Sequence, residues 1–350
     1  MSRRPPVCSV VIPTYNGLGL LSVCLASVAR HLPAAGPAVE VVVADDGSTD
    51  GTAGWLAAHY PWVRLVRLEA NAGFVAAANA GLAAARGEFV QLLNNDTEVC
   101  AGWVEAGLAP FADPTVGSVS PLVLVRSDPT RVDSAGDTYA LVGWPSKRGH
   151  GQAASLWADR PAERVFGASG SSAFYRASAL RRVGTFDPSF GSYYEDVDLA
   201  FRLRWAGYGC VFAPESRVLH EVSASYDHAR PALQRRMSRN GEVLFWTDLP
   251  AAWLAAAVLP HLAFVVAQAA WRLARGRARP FLLGKLDALR EWPRLAARRR
   301  LRADLARSGV AAPHFPLKVA PFGDVRNHLR RPREAFSRRA VRSDPRPPAE

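Results

Sequence analysis

Cysteine is scarce. The 350 residues include four, Cys8, Cys24, Cys100 and Cys210, with no Cys-x-x-Cys pair. That spacing excludes a cysteine-built zinc site and a disulfide framework, and it points to a reducing compartment. No secretory leader is legible: Met1 to Pro6 is basic, but the apolar run after it is broken by Pro13 and followed by a polar turn, as in a first core strand. That turn, Pro13-Thr-Tyr-Asn-Gly17, has no basic residue and little glycine, so it lacks the phosphate-gripping loop that a nucleotidyltransferase needs. No internal repeat is visible. Lys and Arg outnumber Asp and Glu by 43 to 31, a formal net charge of +12. Such a balance calls for an anionic partner: nucleic acid, an anionic membrane surface or a phosphate-bearing ligand. The basic residues gather in the C-terminal tail and do not interleave with aromatics on a recognised module, so no nucleic acid is expected.

What is present is ample core material, 49% hydrophobic against 21% charged. Strand and helix patterns alternate through the first half. Ser9 to Pro13, Val39 to Ala44, Val63 to Leu68 and Phe89 to Leu93 are short apolar runs suited to strands buried on both faces. Between them, Leu20 to Val28 and Phe74 to Ala85 have helical character, and Ser48 or Thr49 is expected to cap the helix after the second strand. The pattern implies an α/β fold with a Rossmann-like, mostly parallel central sheet flanked by helices. Ligands bind such sheets beyond the carboxyl ends of the strands. Three polar clusters fall there: Thr14 to Asn16, Asp45-Asp46 and Asn94-Asn-Asp96. Arg126 to Gln152 reads as a loop or flap that would help choose a substrate. Further on, Ala177 to Val183 is expected as a helix, and Glu195 opens another that runs to about Ala206.

Several residues could carry chemistry. Asp45 and Asp46 could accept hydrogen bonds from a base and a ribose, although a strand-end turn with a helix cap accounts for them equally well. Asp96, with a neighbouring amide oxygen, could hold a hard cation against a diphosphate; an Asx-turn is the plainer reading. Glu195, Asp196 and Asp198 suit the start of a helix through its macrodipole. Three carboxylates in one turn exceed what capping requires, and one could be a general base raised by burial. Asp198 is expected to brace the loop or face solvent. His220 could donate to a phosphate or bind a metal, and Glu221 beside it is expected to pair with Arg217.

Taken together, the stretches Ser9-Val-Val-Ile-Pro-Thr-Tyr-Asn16, Val43-Ala-Asp-Asp-Gly-Ser-Thr-Asp50, Asn71-Ala-Gly-Phe74, Leu92-Leu-Asn-Asn-Asp-Thr97, Gly167-Ala-Ser-Gly170 and Tyr194-Glu-Asp-Val-Asp-Leu199 resemble, in order, the inverting family 2 glycosyltransferases of GT-A fold. The Asn-Asn-Asp-Thr variant with His220 looks most like the bacterial rhamnosyltransferase branch, which builds surface polysaccharide. The resemblance implies a nucleoside-diphosphate-sugar donor, dTDP-rhamnose being one candidate, and a saccharide or lipid-linked saccharide acceptor. Pro13, Thr14, Tyr15, Asp45, Asp46, Asn71, Asn94 and Asn95 would border the nucleotide. Asp96, with His220, would hold Mg²⁺ or Mn²⁺, and Asp196 would be the catalytic base with Glu195 alongside. Asn94 stands where the family's Asp-x-Asp motif usually begins, which lowers the charge at the site. A non-catalytic nucleotide-sugar-binding relative is the alternative.

The resemblance covers roughly residues 7 to 225, and the expected organisation is a transferase domain over 1–228, a helical region over 229–330 and a disordered basic tail over 331–350. Leu249 to Trp271 carries no charged residue and has the roughly 20 residues that cross a bilayer. It is interrupted by Pro260 and flanked by arginine. A segment lying along the inner face of the cytoplasmic membrane is expected, against a buried hairpin broken at Pro260.

Overall fold

A computed structural model of the protein describes residues 6–33, 38–221 and 230–319. The expected boundary near 228 and the tail from 331 lie outside the described residues. The chain runs β1 (Cys8–Thr14), α1 (Leu18–His31), β2 (Val39–Asp45), α2 (Thr52–His59), β3 (Arg64–Arg67), α3 (Phe74–Ala84) and β4 (Phe89–Leu93). It continues through β5 (Thr97–Val99), α4 (Trp103–Leu108), β6 (Val116–Val125), β7 (Asp128–Ser134), β8 (Asp137–Ala140), β9 (Trp144–Lys147) and β10 (Glu163–Val165). Then follow β11 (Ser172–Arg176), α5 (Ala177–Val183), α6 (Glu195–Trp205) and β12 (Gly209–His220). Four helices close the described chain: α7 (Pro231–Asp248), α8 (Ala251–Leu273), α9 (Ala278–Arg290) and α10 (Trp292–Arg307).

The central sheet has the order β10-β12-β6-β11-β4-β1-β2-β3, with β5 on β12 and β7 on β6. β1 pairs in parallel with β2 and β4, and β2 with β3, as the alternating pattern implies. The second half is mixed, because β11 runs antiparallel to both β4 and β6. β1 shows why the sheet needs apolar runs: Val11 faces one core with Leu92 and Ala173, while Val10 and Ile12 face the other with Val43 and Trp103. Successive side chains point to opposite faces, and helices cover both.

Three local expectations are corrected. Residues 126–152 are no flap: β7 pairs with β6, and β8 with β9. Polar residues that turn out to be buried, such as Asp133 and Ser134, gave these strands the look of a loop. Neither Ser48 nor Thr49 caps α2. Asp50 does that work, accepting from the Thr52 amide at 3.2 Å, while the Ser48 hydroxyl accepts from the Asn16 amide. Finally, Pro260 does not break the apolar segment, since α8 is one helix through it.

The C-terminal helices pack on the transferase domain. A third core joins Phe201 of α6 and Tyr139 of β8 to Phe245, Leu249, Ala288 and Leu295. Asp198 does not face solvent: it is fully buried, paired with Arg202 of its own helix and with Arg302 of α10, which also binds Asp248.

Candidate active site at the strand ends

β1, β2 and β4 all end on the same edge, and each hands over to a polar turn that its neighbours tie down. The Asp46 amide donates to the Thr14 carbonyl, and the Asn95 side chain donates to the Thr14 hydroxyl at 2.9 Å. Asn16 accepts from the Thr49 amide. Asp45 accepts from the Ser48 amide at 2.9 Å, and its Oδ2 lies 3.4 Å from Arg67. Both oxygens of Asp46 are engaged by the amides of Ala72 and Gly73, at 2.8 and 2.9 Å. The adjacent carboxylates thus avoid repulsion by facing different partners. Gly47, with φ of +73°, makes that turn possible, and a Cβ there would meet the Ala70 backbone at 2.9 Å. Pro13 is buried under the edge, whereas Tyr15 and Asn71 are exposed at its lip.

At the end of β4 the chain crosses to the second half of the molecule. The Asn94 amide donates to the Ser171 carbonyl, and the preceding Gly170 amide donates to Asp196 Oδ2 at 2.8 Å. Two residues therefore link the β4 turn to the start of α6. A Cβ on Gly170 would sit 3.1 Å from that carboxylate, so glycine allows the close approach. Asp196 Oδ1 accepts from the Val197 amide. Burial raises the Asp196 carboxyl above its ordinary range against these two amide bonds. Burial and then the charge of Asp196 push Glu195 up to about 8, and its Oε2 is buried without a hydrogen-bond partner among the described residues.

The strained approach to α6 is built deliberately. Tyr193 and Tyr194 have φ of +67° and +73°, a left-handed conformation costly for such side chains. Fully buried Asn240 of α7 over-determines it, donating to the carbonyls of Phe190, Ser192 and Tyr193.

Sequence reasoning missed a second acidic layer, delivered by the strands once read as a flap. Buried Asp133 accepts from Lys147 and faces His220 Nδ1 at 2.9 Å. Burial would raise Asp133, but Lys147, His150 and His220 outweigh it and hold it well below the carboxylate range. Asp137 is pushed well above that range by burial and by Asp196. Nothing local marks either residue: β7, Asp-Pro-Thr-Arg-Val-Asp-Ser, has no apolar alternation.

His220 lies in β12, opposite Thr97 of β5. Burial alone would lower it, yet Asp133 and Asp96 raise it to about 9. Its Nε2 points at Asp96 Oδ1 from 3.4 Å, long for a hydrogen bond. Asp96 Oδ1 and Asn94 Oδ1 are both buried without a hydrogen-bond partner among the described residues. These unsatisfied oxygens fit a divalent cation that takes its other ligands from a diphosphate, and His220, oriented by Asp133, would give up its Nε2 proton on joining them. Among the described residues no three His, Cys, Asp or Glu form a ready cage. Glu221 pairs with Arg126, not Arg217, at 3.4 Å.

The family model of Glycosyl transferase family 2 matches residues 9–184. An N-acetylglucosaminyl-diphospho-decaprenol L-rhamnosyltransferase of Mycobacterium tuberculosis is 31% identical over 246 residues, 61% of this chain and 76% of that one. A pre-mycofactocin glycosyltransferase of the same organism is 32% identical over 61% of this chain and 42% of its own length. Among solved structures, a mannosyltransferase of Pyrobaculum calidifontis in complex with GDP-Man and Mn²⁺ shares the fold, with a TM-score of 0.52, 24% identity and coverage of 87% of this chain and 86% of that one.

Proposed function

The chain belongs to the family 2 glycosyltransferases, and from that membership we propose that it moves a sugar, with inversion, from a nucleoside-diphosphate donor to a saccharide or lipid-linked saccharide acceptor in surface polysaccharide synthesis. The observation that carries the reading is the hydrogen-bonded link from Asn94 through Ser171 and Gly170 to Asp196, which sets a half-buried carboxylate beside the strand-end clusters. dTDP-rhamnose is the donor favoured by the 31% identical rhamnosyltransferase.

Each side chain then has a task. Thr14, Asp45, Asp46, Asn71 and Asn95, with buried Pro13 and Asn94, border the nucleotide, and exposed Tyr15 offers a face to its base. Asp46 holds the loop at Ala72 and Gly73 ready before the donor arrives. Asp96 and His220 would hold Mg²⁺ or Mn²⁺, which supplies positive charge to the departing diphosphate. Asp196, kept in place by two amides, removes the acceptor hydroxyl proton as that oxygen attacks the anomeric carbon from the face opposite the diphosphate. Burial, which outweighs the two amide bonds and the Lys147 charge, raises the Asp196 carboxyl and makes it a better base. The enzyme would work at the inner face of the cytoplasmic membrane.

Thermal shift with dTDP, UDP and GDP, each with and without Mn²⁺ or Mg²⁺, tests the reading. A metal-dependent rise with one nucleotide is expected, because a ligand bound only by the folded state stabilises it by mass action. A folded protein that responds to none, and transfers no sugar, would be the non-catalytic relative instead.

A further inference from the structure

The turn that leads into α6 also forms one wall of a basic groove. A cavity of about 540 Å³ lies between Ser189–Gly191 and helices α7 and α9. Four guanidiniums line it, Arg235, Arg236, Arg239 and Arg290, against two carboxylates. Arg235 is committed to Asp287 by two hydrogen bonds, and Arg239 to Glu291. Arg236 is not. It donates to the Ser192 hydroxyl at 2.7 Å and makes no ion pair among the described residues. It also lines a smaller cavity of about 180 Å³ beside Gly73 and Phe74 at the start of α3. The Ser192 hydroxyl that it holds lies in the turn that leads into α6.

Beside the groove, on another face of α9 from Asp287 and Glu291, runs an apolar stripe. On α9, Leu282, Leu286 and Leu289 are 46%, 49% and 60% exposed and share one face by their spacing. Neighbouring α8 adds exposed Leu259 and Val266, and only 11% of its apolar window is buried. A monomeric soluble surface seldom leaves such a stripe uncovered. Net positive charge flanked by exposed leucine is complementary to one kind of ligand, an anion carrying a hydrocarbon chain.

We propose that the groove between Ser189–Gly191, α7 and α9 binds the phosphate or diphosphate of a lipid-linked acceptor, with Arg236 as the available cation and the Leu282–Leu286–Leu289 stripe receiving the start of the lipid. The inference rests on the transferase reading for the acceptor's identity, but binding at the groove needs no donor. The acceptor sugar would then lie between Arg236 and Asp196, and the phosphate would be held away from the leaving diphosphate of the donor.

The test is equilibrium binding to the full chain, without nucleotide, of three probes: farnesyl diphosphate, inorganic pyrophosphate and farnesol. Farnesyl diphosphate is expected to bind about tenfold or more tightly than pyrophosphate, and farnesol weakly. Arg236→Glu is expected to cut farnesyl diphosphate affinity at least about tenfold while leaving the nucleotide thermal shift intact. Since Arg236 is exposed, near-UV circular dichroism should match the parent. Equal binding of pyrophosphate and farnesyl diphosphate, both lost in Arg236→Glu, would overturn the lipid half and leave a free phosphate site. Unchanged farnesyl diphosphate binding in Arg236→Glu, or its displacement by the donor's nucleotide, would overturn the site. Loss of nucleotide response alone would sink the transferase reading and not this one.

Discussion

Asn240 of α7 donates to the carbonyl of Tyr193 at 2.8 Å, and so a helix outside the family-matched segment holds the backbone that aims Glu195 and Asp196. Replacing it should harm catalysis more than binding. Asn240→Leu keeps the volume and removes the donors. It is expected to cost about 1–3 kcal/mol of stability and to lower kcat by roughly tenfold or more through misplacement of the base, with the KM for the donor unchanged. Steady-state kinetics beside a denaturation curve would separate the two effects; a fall in stability with kcat intact would count against positioning.

Asp196→Asn should lower kcat by about 10²–10⁴, the usual contribution of a general base, while nucleotide binding persists. Because burial lifts the Asp196 carboxyl above its ordinary 3.8, the base is lost by protonation as pH falls through a raised value. The acid limb of kcat/KM should therefore lie above 3.8, and the rate should climb with pH up to that limb. Glu195→Gln should be milder than Asp196→Asn, since Glu195, raised to about 8, is already largely protonated at neutral pH.

Chelation should abolish transfer, and Mn²⁺ should restore it. In Asp96→Ala the nucleotide-induced thermal shift should lose its dependence on Mn²⁺, because the one negatively charged oxygen donor among Asp96, Asn94 and His220 is gone. A full metal-dependent shift in that variant would move the metal elsewhere.

Glu242 joins three helices. It accepts from His261 of α8 at 3.2 Å, from Trp246 and from Lys285 of α9. Burial would raise it, but His261 and Lys285 prevail and lower it from 4.5 to about 2. Its folded value lies below its unfolded one, so its stabilisation is present above about 4.5 and is lost as pH drops toward 2. Glu242→Gln should destabilise by about 2–4 kcal/mol at pH 7, and urea midpoints of variant and parent should converge only as pH approaches about 2.

The parallel half of the sheet was legible because its strands are buried on both faces, and continuous apolar runs such as Val39 to Ala44 have few other readings. The donor-side clusters were legible because such strands end in polar turns. The second half resisted for a physical reason. β7 and β8 carry Asp133 and Asp137 inward, and a buried aspartate looks like a loop residue until Lys147 and His220 are seen around it. The partners of Asp198 were also out of reach, since pairing with Arg302 is set by the packing of α10 on α6 and not by local pattern.

That last pair has a consequence for how the protein is made. Asp198 and Arg302 are 104 residues apart, and Asp198 is wholly buried. Arg202 of its own helix is there from the start, but at about 5–20 residues per second on the ribosome Asp198 waits roughly 5–20 seconds for its second arginine. The helix that bears the proposed base therefore takes its final packing only after α10 is made, whereas the β1, β2 and β4 edge is complete in sequence long before.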